Sequence, residues 1–325
     1  MQKENIMLKK CQICNSDFKE VIEASDKMFE ASEKFFYGLC EKCGCLQELN
    51  PPKQMHEHYP KNYYSLKKIS KPTFKNWRRG LKRRLILTHP KAITKLIKFL
   101  INGNEVYWTY RDCGLKIEHK FLDVGTGSGE HVIELRQSGL SGAIGIDPHI
   151  EEEITYENTI LVKKCDLQSV NEKYDFIAFH HSLEHIPDQI GTIQAAQRLL
   201  NDNGKIIIRI PTVSSIAYEK YKSNWFQLDA PRHLFLHSHQ SIENLANTAN
   251  MKITKMWCDS NENQFLISEL HQKNVKTELN HDKIKIAIKH NFTKEELMKY
   301  KQLTRSVNAE LKGDQIFIVL EKYKN

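Results

Sequence analysis

Phe121-Leu122-Asp123-Val124-Gly125-Thr126-Gly127-Ser128-Gly129-Glu130 is the stretch whose reading decides the fold. Its first four residues read as a short buried strand, and three glycines at alternate positions then precede a helix-like run from His131 to Gln137. The chain must turn tightly there with little side-chain bulk. Such a turn lets a ligand press against the main chain and meet the free N–H groups of a new helix. Alone, it fits a dinucleotide, another adenosine-containing cofactor, or a turn that needs glycine only to fold.

The order of the following runs narrows the choice. Ala143 to Ile146 is a second apolar run and ends in Asp147, 18 residues after Gly129, where a carboxylate can accept hydrogen bonds from both ribose hydroxyls. A third, Thr159 to Lys163, leads to Cys165-Asp166-Leu167, whose acid can face an adenine amino group. The fourth, Tyr174 to Phe179, opens into His180-His181-Ser182-Leu183-Glu184-His185, and the fifth, Gly204 to Ile210, ends at Pro211. Alternating strands and helices predict an α/β fold with a mostly parallel open sheet and its ligand at the carboxyl ends of the strands. Met251 to Cys258 and Gln315 to Glu321 read as the last two strands, the latter an antiparallel return. Phe265 to Leu270 reads as an extension of the former or a short separate strand.

The set Asp123-x-Gly125-x-Gly127-x-Gly129, Gly145-Ile146-Asp147, Cys165-Asp166-Leu167, Tyr174-Asp175 through Glu184-His185, and Leu199-Leu200-x-x-x-Gly204 resembles a class I S-adenosylmethionine-dependent methyltransferase. It is most similar in pattern to small-molecule methyltransferases of the ubiquinone-pathway type and those of bacterial surface-sugar gene clusters. The resemblance implies a Rossmann-like sheet, with Gly125, Gly127 and Gly129 passing the methionine part of the cofactor. It further implies Asp147 on the ribose, Asp166 near adenine, and Asp123 orienting the turn or the amino end of the cofactor. Tyr107, in the run Val106 to Arg111, falls where such enzymes bring a helix or loop over the methionine end, and is expected to line the substrate site. Asp229-Ala230-Pro231-Arg232-His233-Leu234 is similar to a run in the sugar-cluster enzymes, which makes Arg232 a candidate for binding the acceptor.

Methyl transfer to a hydroxyl needs alignment and removal of a proton. The histidines after the fourth strand have suitable intrinsic basicity, so His181 is the first candidate base, with His233, His180 and His185 as rivals. His181 and His185 are spaced to share one face of a helical turn. Ser238 reads as a helix N-cap whose acid lies two residues beyond the usual box position.

Five of the eight cysteines lie in the first 45 residues, which suits reduced thiolates on a metal rather than a disulfide framework. Cys11-x-x-Cys14 and Cys40-x-x-Cys43, 25 residues apart, give the four-thiolate set that a structural zinc ion prefers, with Cys45 packed beside it. Many sugar-modifying members of the resembled family carry a comparable zinc module. From Lys71 to Leu100 there are ten Lys or Arg and no acid among apolar residues including Trp77, Leu81 and Leu85. Such a segment can pack with a solvated basic face, lie on an anionic membrane, bind a phosphate-bearing substrate, or touch RNA.

A charged fraction of 27% with a net charge of +8 mixes both signs through most of the chain. With no leader pattern and no run of 18 apolar residues, a transmembrane segment is not expected and the cytoplasm is. The expected division is a zinc ribbon over 1–52, a connector with basic amphipathic helices over 53–104, and a methyltransferase domain over 105–325 with a helical insert at 271–314. That insert reads as a wall of the acceptor pocket or a homodimer surface. The expected chemistry is methylation of a hydroxyl on a small, sugar-containing acceptor, lipid- or nucleotide-linked. An RNA methyltransferase and a methyltransferase-like scaffold without activity are the alternatives. The former lacks an Asn/Asp-Pro-Pro-aromatic motif here, and the latter conflicts with the intact glycine turn and acids. A nicotinamide oxidoreductase conflicts with the missing Gly-x-Gly-x-x-Gly spacing.

Overall fold

The computed structural model describes residues 8–28, 33–59, 74–101, 105–275 and 281–323. Residues 60–73, within the expected connector, lie outside them. The order begins with strands β1 (Phe18–Ser25), β2 (Lys34–Cys40) and β3 (Leu46–Glu48), then helices α1 (Phe74–Thr88), α2 (Thr94–Leu100) and α3 (Glu105–Asp112). Next come β4 (Phe121–Val124), α4 (Glu130–Gln137), β5 (Ala143–Ile146), β6 (Ile154–Tyr156), β7 (Thr159–Lys163) and β8 (Tyr174–His180). The chain continues through α5 (Gln189–Leu199), β9 (Leu200–Pro211), α6 (Ile216–Tyr221), β10 (Phe235–Leu236), α7 (His239–Thr248) and β11 (Met251–Cys258). It closes with α8 (Asn263–Gln272), α9 (His281–Asn291), α10 (Lys294–Ala309) and β12 (Gln315–Lys322).

Two compact units emerge, both discontinuous in sequence. One, the glycine-turn unit, gathers the described residues of 65–180 and 195–207. Its strands run in the order β9-β8-β4-β5-β7-β6, with β4 parallel to both β5 and β8, and β5 parallel to β7. The edge strand β6 is antiparallel to β7, a short hairpin that the sequence reading missed. Phe121, Leu122, Ile177, Ala178 and Phe179 are buried at its centre, as strands covered on both faces require. Helix α1 is held close to α4 at Gly80, where a Cβ would come within 2.6 Å of the Gln137 carbonyl oxygen. An ion pair of 2.6 Å from Arg83 to Glu134 adds to that contact. Trp77, Leu81 and Leu85 share a side of α1 that is left exposed.

The other, the cysteine-bearing unit, gathers the described residues of 1–64, 181–194 and 208–323. One sheet has the order β1-β2-β3-β10, and β11 and β12 form an antiparallel pair ending in the C-terminal part of β9. The first sheet is a ribbon completed from far along the chain, since Phe235–Leu236 pairs with Gln47–Leu46. Its core joins Phe35, Tyr37 and Leu46 to Trp225, Leu236 and Phe265. Phe265 to Leu270 belongs to helix α8, not to a strand. The segment is apolar nearly all round because Phe265, Leu266, Ile267 and Leu270 are all buried, and short apolar runs do not reveal their period. In the insert, Thr293 caps α10 in a reciprocal box with Glu296. Ser238 caps α7 in a box closed by the Ser241 hydroxyl, in place of the displaced acid. No helix among the described residues is long and apolar enough to cross a membrane.

Candidate active site

In the glycine-turn unit, β4 ends at Asp123 and Val124 and the turn follows. Gly125, Gly127 and Gly129 have φ of 70°, 56° and 79°, a region that costs other residues about 1–2 kcal/mol. At Gly129 a Cβ would also meet Val162 Cγ2 at 2.6 Å. Asp147, at the end of β5, accepts from the Gly127 N–H and the His149 N–H, each at 2.8 Å. It therefore stiffens the turn as well as standing at the strand tip expected for a ribose ligand. Asp166 is exposed just beyond β7 and precedes the short helical turn Leu167–Ser169.

Asp123 is buried and takes two bonds on one oxygen, 2.7 Å from the Thr126 hydroxyl and 3.1 Å from His131 Nδ1. The Tyr110 hydroxyl lies 2.9 Å from His131 Nε2 and 2.6 Å from His180 Nε2. A continuous hydrogen-bonded chain thus runs from Asp123 through His131 and Tyr110 to His180. Neither Tyr110 nor His131 was singled out from sequence. A histidine on the first turn after the glycines was visible, but its partner lies on α3. The other oxygen of Asp123 is buried with no hydrogen-bond partner among the described residues. That orphan acceptor, beside three glycines without side chains, fits a ligand carrying a cationic amine, as S-adenosylmethionine does. Tyr107 is 3% exposed and lies under the Arg83 guanidinium, 4.9 Å from its ring centroid. Its hydroxyl is buried with no hydrogen-bond partner among the described residues.

In the cysteine-bearing unit, His181 and His185 do not share a helical face. His181 has φ of 51°, and only Leu183–His185 forms a short 3-10 turn. Their partners also differ: His181 Nδ1 is 3.5 Å from Glu184 Oε1, while His185 Nδ1 donates to the Arg232 carbonyl at 2.8 Å. Glu184 is fully buried, which pushes its carboxyl up, but the contact with His181 and the charges of His185 and His233 outweigh this and hold it near about 2. His233 is likewise buried, and burial lowers it to about 4. Arg232, expected to bind the acceptor, is buried. Its guanidinium is 1% exposed and donates to Asp26 at 2.7 and 3.1 Å, to Asp229 at 2.5 and 3.0 Å, and to the His58 carbonyl at 3.1 Å.

The four amino-terminal cysteines converge as their spacing required. Cys11 and Cys43 sulfurs are 3.6 Å apart and those of Cys14 and Cys40 are 3.4 Å apart, near the ~3.8 Å edge of a tetrahedral zinc–thiolate set. A hydrogen bond with Cys43 draws Cys11 down to about 5, while the same contact and burial push Cys43 up. Cys45 is buried beside them and takes no part in the set.

As a class, this strand, glycine turn and acid arrangement define an enzyme, an S-adenosylmethionine-dependent methyltransferase with a Rossmann-like fold. The family follows from the chain itself: residues 75–256, more than half of the 325, match the methyltransferase domain family, and the protein belongs to it. Over 99 residues the chain is 28% identical to a tRNA U34 carboxymethyltransferase of Aliarcobacter butzleri (strain RM4018), covering 26% of this chain. It spans 32% of the length of that curated relative. Among solved structures it is similar to an S-adenosylmethionine-dependent methyltransferase of Mesorhizobium loti, at 12% identity and a TM-score of 0.43 over 68% of this chain and 99% of that one. The cyclopropane synthase MmaA2 of Mycobacterium tuberculosis matches at 13% identity and 0.41 over 77% and 94%. These are likenesses of general fold alone.

Proposed function

We propose that the enzyme methylates a hydroxyl on a small sugar-containing acceptor, lipid- or nucleotide-linked. The observation that carries the reading is the Asp123–His131–Tyr110–His180 chain, in the same unit as the glycine turn. In this reading Gly125, Gly127, Gly129, Asp123, Asp147 and Asp166 hold S-adenosylmethionine, which supplies a methyl already activated on a sulfonium. His180 takes the acceptor proton and hands one on through Tyr110 to His131, whose Nδ1–H stays on Asp123, so the network absorbs charge without a lone buried cation. Of the four histidines expected to act as base, His180 is favoured because its partners form such a relay. His181 is the rival. The four cysteines hold a zinc ion that fastens the amino-terminal ribbon, with no open position for catalysis. The exposed basic helices α1 and α2 bring the enzyme to an anionic membrane where a lipid-linked acceptor is displayed.

A tRNA acceptor is the second reading, supported by the match to the tRNA-modifying relative and by the basic helices. The deciding experiment gives the full-length enzyme methyl-labelled S-adenosylmethionine with nucleotide sugars, lipid-linked sugars and bulk tRNA in parallel. Label in a sugar ether supports the first reading. Label in tRNA alone replaces it with the second.

A further inference from the structure

A buried histidine, a half-buried histidine and a buried carboxylate in the cysteine-bearing unit are arranged for a task the methyl-transfer reading does not use. We propose that Glu184, His185 and His233 bind one divalent transition-metal cation, at a site separate from the four cysteines. One nitrogen of each ring and one oxygen of Glu184 lie within 4.8 Å of one another. Each ring has its tautomer set by a backbone carbonyl, which can only accept. His185 Nδ1 donates to Arg232 at 2.8 Å, with the Tyr59 hydroxyl 3.2 Å from the same atom, and His233 Nδ1 donates to Gln227 at 2.7 Å. In both neutral rings Nε2 is then the lone-pair nitrogen, the arrangement by which proteins orient histidine ligands. The carbonyl of His233 is itself fixed by the Tyr37 hydroxyl at 2.9 Å.

The carboxylate points the same way. Glu184 is fully buried, and neither of its oxygens has a hydrogen-bond partner among the described residues; the His181 ring at 3.5 Å is a looser charge contact. His233 Nε2 meanwhile stands 4.0 Å from Glu184 and 3.8 Å from Asp229, a lone pair turned toward two anions. Asp26 and Asp229 are at most 6% exposed in their side chains and pair with the Arg232 guanidinium, whereas the fully buried Glu184 faces the His181 and His233 rings. With the His185 and His233 rings neutral, neither offsets the charge of the buried Glu184 carboxylate, which a divalent ion would. By contrast, the nitrogens of His131 and the facing nitrogen of His180 are already hydrogen-bonded to Asp123 and Tyr110, so that trio does not ask for an ion.

Imidazole nitrogen and carboxylate oxygen suit zinc, iron or cobalt more than magnesium or calcium. Ligands about 2.1 Å from such an ion sit roughly 3.0–3.4 Å apart, so the side chains close inward by about an ångström on binding. Three protein ligands leave a position for water or for a hydroxyl-bearing small molecule, whose proton the ion would acidify.

The test loads the untagged full-length chain with cobalt(II), removes the excess by dialysis, and measures metal content and absorption. The wild type should hold one equivalent more than the His185→Gln/His233→Gln variant, which should keep the sulfur-to-cobalt bands of the cysteine set. Cys40→Ser should lose those bands and keep the additional equivalent. Equal metal content in wild type and double variant overturns the site. Should the double variant fail to fold by circular dichroism, X-ray absorption at the cobalt edge of the wild type decides: imidazole scattering supports the site, and a shell of sulfur alone overturns it. Neither outcome depends on the methyl acceptor, so failure here and failure of the proposed reaction are read separately.

Discussion

Asp147 shows at the residue scale how one side chain serves both fold and ligand. Its carboxylate already holds the Gly127 and His149 N–H groups, and in the proposed site it also receives ribose hydroxyls. Hydrogen bonds to a charged group are worth about 1.5–3 kcal/mol. Asp147→Ala should therefore weaken S-adenosylmethionine binding about 10- to 100-fold by calorimetry and also lower the melting temperature. Cofactor affinity equal to wild type would remove the ribose role. Tyr110 tests the relay, because its fully buried hydroxyl is the bridge between His131 and His180. Tyr110→Phe should reduce turnover on the order of 100-fold, shift the pH–rate profile, and leave cofactor affinity intact. Turnover and profile unchanged by the loss of that oxygen would exclude the relay. At Gly129, alanine meets both a positive φ and a 2.6 Å contact with Val162, so Gly129→Ala should cost more than about 2 kcal/mol in denaturant titration.

Among the elements, α1 shows where periodicity and packing part company. Trp77, Leu81 and Leu85 do line one side, as their spacing required, yet they are 56%, 47% and 42% exposed. Gly80, without a side chain, is instead a point of close approach to α4, and Ile86 and Leu87 are buried. On α2, Leu96, Phe99 and Leu100 are also exposed. An apolar patch among cations and without acids is suited to the surface of an anionic bilayer. The full-length enzyme should co-sediment with vesicles containing phosphatidylglycerol and not with neutral vesicles. Trp77→Glu with Leu81→Glu should abolish this while leaving the melting temperature within a few degrees. Equal recovery with both vesicle types, or in their absence, would remove the membrane assignment.

Across the whole molecule, buried histidines tie distant segments together without charge. His237 bridges Gln189 and the Ser241 hydroxyl at 2.9 and 3.0 Å, and burial lowers it to about 4. Its unfolded value near 6.5 means the unfolded chain binds more protons between those limits. Its contribution is thus complete above pH 6.5 and is lost as pH falls toward 4. The stability difference between wild type and His237→Gln should accordingly shrink by about 2 kcal/mol from pH 7 to pH 5. A difference that does not change with pH would mean that His237 is not held neutral by the fold. The glycine turn, the strand-tip acids and the paired Cys-x-x-Cys knuckles could be read directly, because each is a local requirement that the chain states within a few residues. The partners of Arg232 could not, since Asp26 and His58 lie more than 170 residues away and only packing brings them to its guanidinium. The same limit hid Tyr110 and His131, and it turned Phe265–Leu270 from an expected strand into a buried helix. By itself the sequence determined the five parallel-type strand runs around the glycine turn, the turn itself and the cysteine cluster. The tertiary structure decided which histidines are wired together, which carboxylates are left unmatched, and that β10 completes the amino-terminal ribbon. Burial and long-range pairing set those outcomes, and neither leaves a periodic trace in the chain.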